Sequence, residues 1–143
     1  MDTAIANIEQ ELIDEFALFD NWMDRYQYLI DLGRHLPAYP EHERAEADKV
    51  AGCQSQVWLQ ASGDAEQMHF RAISDAAIVS GLIALLMRLY DGQSAQAIID
   101  YEPRFVAGLG LDKHLSQNRA NGLHAMMQRI RATAAHMSGD ATV

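Results

Sequence analysis

Between Asp75 and Asp91 the chain runs Ala76-Ala77-Ile78-Val79-Ser80-Gly81-Leu82-Ile83-Ala84-Leu85-Leu86-Met87-Arg88-Leu89-Tyr90, a stretch with almost no polar face. A surface helix carries an apolar stripe and a polar remainder, so a helix that is apolar nearly all round has to be enclosed by the rest of the fold. The stretch falls short of the roughly 20 residues that span a bilayer. It therefore predicts a central helix, capped by Ser74 or Asp75, around which the other elements must wrap.

Composition agrees with a wrapped core. At 143 residues the chain fits one domain, 1–143, and a domain of that size removes roughly two-thirds of its chain surface from water. Apolar residues make up 49% and charged residues 22%, ordinary for a globular protein. The 20 acidic and 11 basic side chains give a formal charge of -9, and the basic ones form no run, which argues against nucleic-acid binding. The N-terminal MDTAIANIEQELIDEF is acidic where a signal peptide is basic, so an unexported, cytoplasmic protein with no membrane span is expected. One cysteine forms no internal disulfide and supplies no thiolate-rich metal or iron-sulfur site, so no metal site is expected.

The remaining pattern predicts an α+β fold. Ile5, Ile8, Leu12 and Phe16 recur at helical steps, as do Trp22, Tyr26, Leu29, Ile30 and Gly33, with Asp20 or Asn21 as the cap between two helices. After Leu36-Pro37 the acidic segment from Ala38 to Asp48 lacks periodicity and is expected as a solvated loop. Gln54 to Gln60 is expected as a strand, with Cys53, Ser55, Val57 and Leu59 on one face and Gln54, Gln56, Trp58 and Gln60 on the other. Ser62-Gly63-Asp64 is turn chemistry, Met68 to Ile73 the antiparallel partner, and a third strand has room before Gly52. Helical pieces follow at Ser94 to Ile99 and Pro103 to Leu109. Ser116 caps a last helix with Leu123, Met126, Met127, Ile130 and Ala134 inward, and a frayed tail starts at Ser138. The sum is a small antiparallel sheet of about three strands packed against a layer of helices.

Cys53 is the residue with the richest chemistry. A lone cysteine is by default a small buried hydrophobe. Here it follows Gly52, a residue that allows tight backbone turns, and precedes the polar triplet Gln54-Ser55-Gln56, a setting that can present a thiol to a partner. Both readings stand on these residues. Asp75 is either a helix cap or a negative charge that disfavours the thiolate, and Arg119 either a solvated side chain or a holder of the cysteine loop. The six histidines show no ligand spacing on one helix face, and Met126 and Met127 fit core packing.

Gly52-Cys53-Gln54-Ser55-Gln56-Val57-Trp58 resembles the signature of the SufE family of sulfur acceptors. Further blocks fall in the family's order: Ser74-Asp75-Ala76-Ala77-Ile78-Val79 with Gly81-Leu82-Ile83, then Leu115-Ser116 with Arg119 and Asn121-Gly122-Leu123. Trp22 and Leu36-Pro37 also match, so the resemblance covers nearly the whole chain. Ser80 stands where many relatives carry a basic residue, Gln117 replaces a common proline, and Ala51 precedes the Gly-Cys pair.

The resemblance implies a SufE- and IscU-like fold and a persulfide relay. A cysteine desulfurase, SufS-like or CsdA-like, strips sulfur from cysteine with its own pyridoxal phosphate, and Cys53 accepts it. This chain then needs no cofactor of its own. Gly52, Gln54, Ser55 and Gln56 would support the cysteine on a movable loop, Asp75 and Arg119 would modulate it or meet the partner, and a downstream iron-sulfur scaffold complex would receive the sulfur. The protein is then a carrier and desulfurase activator more than an enzyme, as a monomer or weak homodimer. A side-branch carrier feeding another acceptor is the nearest rival, and a hydrolase built on Cys53 and a distant histidine a more remote one. A cluster scaffold would need several cysteines.

Overall fold

The structure is a computed structural model that describes residues 4–139. Helix α3 (Ala77–Tyr90) occupies its centre, with Ile78 through Leu86, Leu89 and Tyr90 all buried. Each Leu or Ile enclosed there contributes about 1.5–3 kcal/mol relative to exposure, so this helix anchors the core. Packed on it are α1 (Ala4–Ala17), α2 (Trp22–Gly33), the second strand of a hairpin, and α7 (Gln117–Ser138). Short helices α4 (Ala95–Asp100), α5 (Phe105–Gly108) and α6 (Leu111–His114) fill the corner between them.

Two glycines let α2 and α3 cross almost backbone to backbone. A Cβ on Gly81 would lie 2.3 Å from the Leu29 carbonyl oxygen, and one on Gly33 would lie 2.6 Å from the Gly81 nitrogen. Ser80, beside this crossing, is buried and donates its hydroxyl to the Ser74 carbonyl at 3.3 Å.

The sheet, among the described residues, is the hairpin of β1 (Val57–Gly63) and β2 (Met68–Ser74), in register from Val57 opposite Ser74 to Gly63 opposite Met68. Val57, Leu59, Met68, Phe70 and Ala72 face the core, as alternation requires. The expected third strand is present as a single antiparallel bridge, Lys49 to Trp58. The expected strand start at Gln54 moves to Val57, because the backbone from Ala51 to Gln56 turns away from the ladder.

Segment 38–48 differs more from its expectation. It forms 3-10 turns at Glu41–Glu43 and Glu46–Asp48 that lie over the outer face of the hairpin. Tyr39 is buried beneath the Arg71 guanidinium, 4.4 Å from its ring centre, and Arg71 also pairs with Glu43 and donates to Gln60 at 2.9 Å. Gln60 in turn donates to Asp48 at 3.0 Å. These side chains hold an acidic strap against the sheet.

Helix starts follow local chemistry. Asn21, Ser94 and Ser116 each accept an amide hydrogen from the first turn of the helix they precede, at 2.9, 3.1 and 3.2 Å. At α3 the N-cap is Ala76, with no side-chain cap; Ser74 bonds the Ala76 amide, and Asp75 points elsewhere. Helix α7 reaches Ser138 and closes on Gly139, and the tail beyond it lies outside the described residues. Among the described residues no helix is long and apolar enough to cross a membrane.

Candidate functional site

Cys53 sits on a turn, 51–56, whose base is fastened at several points. The Val50 amide donates to the Val57 carbonyl at 2.9 Å and closes the turn. On the outgoing side the Gln56 amide donates to Asp75 Oδ1 at 3.1 Å and the Asp75 amide to the Gln56 carbonyl at 3.3 Å. On the incoming side the Arg129 guanidinium of α7 donates to the Ala47 and Lys49 carbonyls at 3.0 and 3.3 Å. These bonds hold the base of the turn and leave its tip without such fastening. Gly52 has φ +92°, a backbone conformation that β-carbons disfavour, and it brings the tip down onto Ala125 of α7.

The sulfur points inward. Cys53 Sγ lies 3.6 Å from the Gly122 carbonyl oxygen and donates its hydrogen there. It borders a cavity of about 340 Å³ between the turn, α3 and the first turns of α7, with Val79, Leu82, Leu123 and Met126 forming an apolar wall. A second cavity, about 430 Å³, lies on the other face of the turn against Glu46 and Lys49. The cysteine turn is thus a thin partition between two spaces. Burial pushes the Cys53 thiol above its ordinary pKa, so the resting sulfur is a protonated, quiet nucleophile.

Arg119 enters the cavity from the N-terminal end of α7. Its Nη1 donates to the Tyr26 hydroxyl at 2.9 Å, and its guanidinium stands 5.9 Å from the Tyr26 ring centre. Among the described residues no carboxylate forms an ion pair with it. Cys53, Gln54, Ser55 and Arg119 share that cavity, while Gly52 and Gln56 border the outer one with Cys53. Asp75 is exposed at the base of the turn, where its carboxylate is engaged by the Gln56 amide. It is an anchor of the turn and not the cap of α3.

Sequence reasoning quoted Gly122 within Asn121-Gly122-Leu123 but gave it no role. This residue is buried in the body of α7, where glycine costs about 1 kcal/mol relative to alanine. A Cβ built on it would meet Cys53 Sγ at 3.6 Å and touch nothing closer. An uncapped, mid-helix glycine in Asn121-Gly122-Leu123 was the available signal. Among the described residues no group of three His, Cys, Asp or Glu side chains could hold a metal ion.

The site is a lone thiol on a tethered turn over a cavity with one apolar wall, its other lining polar and including an arginine. Comparison with known families names its class. Residues 10–134 match the SufE family, the Fe-S metabolism associated domain, and the chain belongs to that family. It is similar to an uncharacterized SufE-like protein of Rhizobium meliloti, 46% identical over 129 residues, which cover 87% of this chain and 92% of the relative. A SufE-like protein of Rhizobium etli is 43% identical over 135 residues, covering 91% and 90%. The fold is similar to the solution structure of a hypothetical protein from Thermus thermophilus, with TM-score 0.75 at 22% identity, covering 92% of this chain and 96% of that one.

Proposed function

We propose that the protein accepts sulfur on Cys53 from the persulfide of a pyridoxal-phosphate-dependent cysteine desulfurase, accelerates that enzyme by relieving it of sulfur, and delivers the sulfur to iron-sulfur cluster assembly. The observation that carries this reading is the inward thiol, 3.6 Å from Gly122 O, on a turn fastened at its base and bordered by space on both faces. Transfer is thiol exchange, which needs an ionised attacking sulfur, a thiolate leaving group and access, and no metal. The apolar wall of the cavity would shelter a labile sulfur from reductants, and eversion of the turn's tip would bring it out on docking. Family membership supports the destination of the sulfur. The pyridoxal phosphate belongs to the donor.

Incubation with a cysteine desulfurase and cysteine should add one sulfur to the intact mass, removable by dithiothreitol. Cys53→Ser should add none and should leave the desulfurase unstimulated. Loading of the Cys53→Ser protein, or its full stimulation of alanine formation, would overturn the reading.

A further inference from the structure

We infer that Gly122 is the seat of the transferred sulfur: the side chain it lacks leaves the space in which the terminal sulfur of a Cys53 persulfide rests. The inference builds on the acceptor reading and adds a positioning residue to it. Three observations lead there. Gly122 faces Cys53 directly, since its missing Cβ would have Cys53 Sγ, Cα and Cβ as its nearest neighbours, at 3.6, 3.9 and 3.9 Å. These are ordinary contact distances, so the free thiol would accept a methyl group there, and packing of the resting state does not explain the glycine. The helix interior would favour alanine, so the glycine is held against local preference.

The loaded state supplies the missing reason. The Cys53 thiolate attacks the outer sulfur of the donor persulfide; the Sγ–S bond forms, the donor's S–S bond breaks, and the donor thiolate leaves with the electron pair and takes up the proton Cys53 released. The new atom then stands about 2.05 Å from Sγ. A sulfur that far along the line toward position 122 has no room beside a methyl carbon 3.6 Å from Sγ. With glycine there, it rests against the bare helix backbone at the edge of the 340 Å³ cavity.

Gly122→Ala tests this with two rates measured on one protein. The thiol form should melt at the same temperature as wild type or higher, and react with iodoacetamide within about threefold of wild type. After loading by a cysteine desulfurase and cysteine and removal of the donor, its persulfide should be reduced by dithiothreitol about tenfold faster than the wild-type persulfide, because an overpacked pocket expels the added atom. Equal reduction rates would overturn the inference and leave the acceptor reading standing. So would a variant that melts lower or reacts differently already as the thiol, since the methyl would then disturb the resting state. A wild-type protein that takes up no sulfur at all would sink the acceptor reading and the inference together.

Discussion

The Asp75 carboxylate accepts the Gln56 amide hydrogen at 3.1 Å, and burial is the cause of the raised Cys53 pKa. Asp75 is therefore expected to act on the thiol only through the turn it fastens. Asp75→Ala should raise the iodoacetamide rate of Cys53 by about fivefold, the scale of one hydrogen bond near 1 kcal/mol. Asp75→Asn keeps an oxygen acceptor in place and should stay near wild type; equal acceleration in both variants would assign the effect to charge. The sign of the thiol's own pH dependence follows from its raised pKa. Alkylation should climb with pH along a curve displaced to the alkaline side of free cysteine, and Cys53 stabilises the fold below the ordinary thiol pKa and ceases to do so as pH rises through its folded value. The cysteine and its polar triplet were legible in the sequence because they are contiguous. The opposing wall was not, because Val79 and Gly122 come together only when α3 and α7 pack.

Helices were the more legible elements. The apolar run at 76–90, the cap at Asp20 or Asn21, the helical piece from Ser94 and the cap Ser116 are signals local in the chain, and the structure places helices on all of them, with Asn21 as the cap of the second. The strand boundary was less so, since alternation from Cys53 to Leu59 satisfies a period of two while the Val50–Val57 bond diverts its first half into a turn. The acidic strap was hidden for a related reason: Arg71, Gln60 and Tyr39 hold it through partners distant along the chain. At the α2–α3 crossing, Gly81→Ala forces a methyl to 2.3 Å from the Leu29 carbonyl oxygen. The helices must separate, and chemical denaturation should show a loss of about 3 kcal/mol. A loss below about 1 kcal/mol would mean that the crossing yields easily.

Across the whole molecule, part-exposed ion pairs and buried phenols set opposite limits on stability. The Arg88 guanidinium, bonded to Glu15 at 2.7 and 2.9 Å, holds that carboxyl below its ordinary pKa, and Arg71 does the same for Glu43. Their contribution is present above the unfolded carboxyl pKa and is lost as pH falls through the folded values. On the alkaline side burial lifts Tyr90 to about 12 from 10.0, and burial with the Glu9 carboxylate lifts Tyr101 as well. The folded state prefers these phenols neutral, so stability present below pH 10 is lost as pH rises toward 12. Melting temperature should form a plateau that Glu15→Gln flattens on the acid side. Tyr90→Phe should weaken the alkaline fall and stabilise the protein at neutral pH by about 1 kcal/mol, because the buried Tyr90 hydroxyl has no hydrogen-bond partner among the described residues. A Tyr90→Phe protein that melts several degrees lower would contradict this. The fastening of the cysteine turn should also divide the backbone into two kinetic populations. Deuterium should enter the tip amides from Gly52 to Ser55 through small openings that leave the core intact. At Val50 and Gln56 it should enter orders of magnitude more slowly, so that the hinge line of the molecule can be drawn from isotope uptake with no partner present.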